Sequence, residues 1–95
     1  MSYKPNPINL DNIKLSAEIE QDIEAISRNV HEVWAQKRIQ DGWGYDKDSV
    51  DHPCLTDYDS LDEIEKQIDR ATVINTIKML IYLGYEIKRE DGSDV

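Results

Sequence analysis

The sequence is poor in several things, and each shortage removes a class of function. It has no phenylalanine and a single cysteine, Cys54, so no internal disulfide can form. Its longest apolar run, Met79 to Leu83, is five residues, far below the roughly 20 needed to span a bilayer. The opening residues Met1 to Pro7 contain no apolar core of a signal peptide. Basic residues are scarce, with 11 Lys and Arg against 20 Asp and Glu, for a net charge of -9. Such a field repels phosphate backbones and anionic headgroups, which argues against nucleic acid and membrane surfaces as partners. It favours a basic partner or a cation. These features lead us to expect a soluble, cytoplasmic protein of one domain over residues 1–95, with hydrophobic content of 39%, ordinary for a globular fold.

What is present is helical patterning. Ser16 is placed to cap a first helix over about 17–40. Ile19, Ile23, Ile26, Val30 and Val33 step by four and three along one face. Glu18, Glu20, Asp22 and Glu24 sit early while Arg28, Lys37 and Arg38 come later, which complements the helix dipole. Gly42 is expected to stop this helix. Residues 42–60 carry two glycines, a proline and five aspartates, yet also Trp43, Tyr45, Val50, Leu55 and Tyr58. That mixture predicts an ordered central loop folded against the body. Ser60-Leu61-Asp62-Glu63 has the form of a capping box, and a second helix is expected to follow to about residue 83, ending at Gly84 in the C-terminal capping position. Its apolar stripe starts with Ile64, Ile68 and Ala71 and then widens through Ile74, Ile77, Met79, Leu80 and Ile81. Ile13-Lys14-Leu15 and Tyr85-Glu86-Ile87-Lys88 alternate and could pair as a small two-stranded β ribbon. The expected fold class is therefore mainly α, with two long antiparallel helices.

Chemistry-bearing residues are few. Cys54 with His31 or His52 would supply a thiol and a base, but no orienting group or oxyanion site is visible beside them. The same three side chains lack zinc-ligand spacing, and a helical histidine beside Trp34 reads better as a packed, hydrogen-bonded side chain. Asp46, Asp48 and Asp51 repeat the spacing of Asp57, Asp59 and Asp62, but the central glycine and terminal glutamate of an EF-hand are missing. We therefore expect no catalytic residues, no cofactor and no transition-metal site, and keep calcium binding by the acidic loop as a third reading. The aromatic residues say more. Trp34 lies near the end of the first helical stripe, and Trp43 and Tyr45 lie just past that helix. They could line a groove for a planar ligand or an apolar anchor, or simply close a small core.

Several strings together resemble a known family. Asn29-Val30-His31-Glu32-Val33-Trp34, Gly42-Trp43-Gly44-Tyr45 and His52-Pro53-Cys54-Leu55 are similar to signature blocks of the ryanodine-receptor repeat domain. So are Glu65-Lys66 with Asp69-Arg70, and Thr76-Ile77-Lys78 with Leu83-Gly84-Tyr85. The resemblance spans about residues 5–88. It implies a cytosolic, mainly helical, non-enzymatic module. Such modules occur as tandem pairs in large intracellular calcium-release channels and as single copies in prokaryotic proteins. It also implies a role as a contact and regulatory surface, with nucleotide-like ligands at aromatic side chains as the alternative. Two departures stand out. The stretch between the Gly-Trp and His-Pro blocks is short and acidic here, which would repel a triphosphate. The chain also carries one repeat where the channels pair two, so a protein partner or a second copy (a homodimer) is expected to complete the surface. The candidate ligand-binding residues are Trp34, Trp43, Tyr45 and His52.

Overall fold

The computed structural model describes residues 2–42 and 55–90. Two helices dominate it: α1, Ala17–Gln40, and α2, Glu63–Tyr82, with a 3-10 turn at Tyr58–Ser60 just before α2. No strand occurs among the described residues, so the fold is mainly α. The central loop expected over residues 42–60 falls largely on 43–54, outside the described residues.

Both ends of α1 follow from local chemistry. The Ser16 hydroxyl accepts from the Ile19 backbone N–H at 3.2 Å, which satisfies one of the donors that every helix start leaves open. At the other end Gly42 adopts a positive φ of 97° and donates its N–H to the Ile39 carbonyl at 3.0 Å. The end of α2 is built the same way and more completely. Gly84 has φ 105°, its N–H reaches the Ile81 carbonyl at 2.9 Å, and the Tyr85 N–H reaches the Leu80 carbonyl at 3.0 Å. That pair of bonds is the Schellman arrangement. It also explains why the expected β ribbon does not form. Tyr85 gives its N–H to the helix end, and the following residues are held to α1 through Arg89, which contacts Asp22 at 2.8 Å and Glu18 at 3.5 Å. The proposed partner strand is likewise diverted, since the Ile13 N–H closes a turn onto the Leu10 carbonyl at 3.0 Å.

The start of α2 differs from the sequence expectation. Ser60 does not cap it, because Tyr58–Ser60 is wound into the 3-10 turn and Leu61 is extended. Asp62 occupies the N-cap position without a side-chain hydrogen bond. The reason is burial. Tyr58 is 1% exposed and Leu61 is also buried, and placing both inward requires the turn and the extended residue between them and the helix.

The pairing of the helices is read from shared grooves. Ile19, Asp22 and Ile26 of α1 meet Ile77 and Leu80 of α2 in one, and Val30, His31 and Trp34 meet Leu61, Glu65, Ile68 and Asp69 in another. Among the described residues the buried side chains are Leu10, Ile23, Tyr58, Leu61 and Val73 together with two polar residues, Ser27 and His31. The inward line of α1 is thus Ile23, Ser27 and His31 at four-residue steps, and it leaves Ile26 and Val33 exposed. Ile64, Ile68 and Leu80, expected inside, are exposed as well.

Ser27 is fully enclosed, and its hydroxyl has no hydrogen-bond partner among the described residues. An enclosed, unbonded hydroxyl is unfavourable, so Ser27→Ala should raise stability by about 1 kcal/mol. Ser27→Leu should lower it by about 1–3 kcal/mol through overpacking. Urea unfolding monitored by circular dichroism measures both, and equal loss in the two variants would show that the hydroxyl does bond in the folded state.

Candidate functional site

Of the four residues expected to form a ligand surface, Trp34 is described, and Trp43, Tyr45 and His52 lie outside the described residues. Trp34 is half-buried on α1, three residues after His31. One helical turn brings the two rings together, with centroids 5.8 Å apart and planes 22° from parallel. The Arg38 guanidinium lies 5.9 Å from the Trp34 ring centroid, on the next turn. His31 is 3% exposed. Its Nε2–H donates to the Thr56 carbonyl at 2.6 Å, and its ring also meets Tyr58, at 6.3 Å between centroids. The histidine is therefore a packed, hydrogen-bonded side chain that ties α1 to the segment before α2.

Beside this cluster runs a groove of about 490 Å³ between the helices, lined by Val30, His31 and Trp34 on one wall and by Leu61, Glu65, Ile68, Asp69 and Thr72 on the other. Such a volume falls within the range of ordinary ligand sites, about 300–1,000 Å³. Burial pushes the Asp69 carboxyl above its usual range, opposed by the neighbouring His31 imidazole and assisted by Glu65. A family model for the RyR domain matches residues 3–89. The chain belongs to the RyR domain family.

In this RyR domain a second cluster lies behind Tyr58, and hydropathy patterning gave no sign of it. Arg70 of α2 grips Glu24 of α1 with two bonds, Nε to Oε1 at 2.7 Å and an Nη to Oε2 at 2.9 Å. Its remaining Nη contacts Glu63 at 2.6 Å. The Tyr58 hydroxyl donates to Glu24 Oε2 at 3.0 Å. Arg28 stands 5.1 Å and Lys66 5.6 Å from the Tyr58 ring centroid, and Arg28 also pairs with Asp59 at 2.9 Å. A planar guanidinium matched to a carboxylate in this two-point geometry is stronger and more directional than a lone ammonium contact. The one sequence signal that could have found it was the Asp69-Arg70 string, which placed a charge pair in the middle of an apolar helix.

The same cluster engages the second aspartate run. Asp59 is paired with Arg28, and the Ser60 and Thr56 hydroxyls hold the Asp57 carboxyl below its usual range. Among the described residues no group of three or more His, Cys, Asp or Glu converges as a metal site. Asp46, Asp48 and Asp51 lie outside the described residues.

Arg70 holds the Glu24 carboxyl down at about pKa 2, against the opposing effect of burial and with help from the Tyr58 hydroxyl. A carboxyl depressed in the folded state stabilises above its unfolded pKa and loses that contribution as pH falls through the folded one. Glu24 should therefore contribute fully above about pH 4.5 and progressively less down to about pH 2. Since its side chain is half exposed, salt should weaken the effect. Thermal melts of wild type and Glu24→Gln from pH 7 to 2.5 should converge at the acid end. Parallel curves throughout would mean that the pair contributes nothing to folding.

Proposed function

We propose that this RyR domain is a non-catalytic interaction and regulatory module of the cytoplasm. Its partner-facing surface centres on Trp34 and, by the family resemblance, extends to Trp43, Tyr45 and His52. The pairing of early α1 with late α2 supports an antiparallel helix pair as its scaffold.

The observation that carries this reading is the apolar exposure beside the Trp34 groove. Ile68 lines the groove and is 55% exposed, Ile64 one turn earlier is 71% exposed, and Val33 next to Trp34 is 57% exposed. Single exposed aliphatics are common on any surface. Ile68 in the wall of an aromatic groove, with Ile64 one turn away on the same face of α2, gives the kind of surface that partners cover. The His31, Tyr58 and Glu24 side chains, by contrast, are engaged with one another's elements and hold the scaffold.

A planar-ligand sensor is the second reading, favoured by the half-buried Trp34 ring with an aromatic neighbour already in place. Selection from a random peptide library separates the two. Enriched peptides should lose about tenfold in affinity on Ile68→Ser, a surface change expected to leave folding within about 0.5 kcal/mol. Peptides indifferent to Ile68→Ser, together with saturable quenching of indole fluorescence by adenine nucleotides, would replace the interaction reading with the sensor. A calcium-specific rise in melting temperature over equal ionic strength of sodium would instead favour the acidic loop as a cation site.

A further inference from the structure

The walls of the Trp34 groove differ in kind. Its apolar part comes from Val30, Trp34, Leu61 and Ile68, beside the polar His31 and Thr72. The α2 edge carries Glu65 and Asp69, four residues apart and so on adjacent turns of one face. Among the described residues Glu24 and Glu63 are matched to Arg70, Asp59 to Arg28, Asp41 to Lys37, and Glu18 and Asp22 to Arg89, and carboxylates with no such match, such as Asp11, Glu20 and Asp62, are exposed to water. Glu65 and Asp69 are both partly buried, and neither has an ion pair or a side-chain hydrogen bond among the described residues. Like charges at this spacing repel each other. Burial already disfavours the charged form of Asp69. The groove thus sets two carboxylates without an ion pair beside apolar side chains, with only the His31 imidazole acting on Asp69 from the facing helix.

We propose that the groove receives a lysine or arginine side chain from an amphipathic peptide partner. This rests on the interaction reading above and adds the partner's chemistry. The aliphatic stem lies along Val30, Trp34 and Ile68, and the cationic head reaches Asp69 and Glu65. Long basic side chains suit such a site because their stems bury while their heads stay polar. The entering cation supplies an attraction to Glu65 and Asp69 that no ion pair among the described residues provides. Apolar residues flanking it cover Ile64 and Val33, which a free amine would leave in water. The net charge of -9 attracts such a partner at long range, while the local pair of carboxylates fixes where it docks.

The test uses three synthetic peptides of equal length and identical leucine spacing, with Lys, Gln or Glu at the remaining positions. Each is titrated into the isotopically labelled full chain and followed by NMR. The Lys peptide should shift the Trp34 indole and the Glu65 and Asp69 amides and bind about tenfold or more tighter than the Gln peptide. Asp69→Asn should remove most of that preference. Asp11→Asn, the same charge change on an exposed residue lining a different groove, should retain it. Melting curves of both variants check that each is folded.

Equal binding of the Lys and Gln peptides would overturn the basic occupant while leaving the groove as an interaction surface. A loss as large in Asp11→Asn would reduce the effect to overall charge and would equally overturn the basic occupant. If no peptide moves the Trp34 signal, this proposal and the interaction reading fall together. Concentration-dependent self-association that protects the same residues would assign the groove to a second copy of the chain instead.

Discussion

The short hydrogen bond from His31 to the Thr56 carbonyl, 2.6 Å, fixes how the two helices meet. It joins the middle of α1 to the segment that delivers Tyr58 and Leu61 into the core. It acts beside the buried Tyr58 side chain, whose hydroxyl bonds Glu24 and whose ring meets His31, in anchoring the 3-10 turn on α1. A buried imidazole must place its polar atoms on partners, and that demand determines which way the segment enters α2. The stacking of Trp34 on the same ring makes the candidate surface a consequence of this packing.

Around that anchor the domain divides its work between two sides. On one, Glu24, Arg70, Glu63 and Tyr58 form a bonded network linking α1, the 3-10 turn and α2. On the other, Val30, Trp34 and Ile68 border a groove, and the carboxylates at its edge are left without partners among the described residues. The described residues bury only five hydrophobic side chains, so polar contacts carry much of the specification of how those residues pack. This also leaves large aliphatic side chains at the surface, which is where a binding module can use them.

The parts of this fold legible in the sequence are those set by neighbouring residues. Ser16, Gly42 and Gly84 mark helix ends because capping and positive-φ turns are local, and α1 runs over the span that the apolar steps imply. The family was legible too, from short blocks of residues in order. Legibility failed wherever distant contacts decide. Ser60 and Glu63 have the spacing of a capping box, yet burying Tyr58 pulls Ser60 out of the helix and Arg70 takes the Glu63 carboxylate. Ile26 and Val33 satisfy the apolar period but are exposed, whereas Ser27 and His31, which no hydropathy scale favours, are enclosed. The alternation near Tyr85 resembled a strand, and the helix end claimed its N–H. Near the candidate site, the packed state of His31 was foreseen. The Glu65 and Asp69 edge was not, because the lack of a partner for a charge is a property of three-dimensional surroundings.

The whole arrangement depends on His31 bonding the Thr56 carbonyl through a protonated Nε2. Long-range proton–nitrogen correlation spectra of the imidazole at neutral pH report the state of each ring nitrogen directly. The expected result is a proton on Nε2, protected from rapid exchange with solvent, and loss of that protection when the fold is melted. A neutral ring carrying its only proton on Nδ1 would contradict this, because a bare Nε2 facing a carbonyl oxygen cannot form that bond.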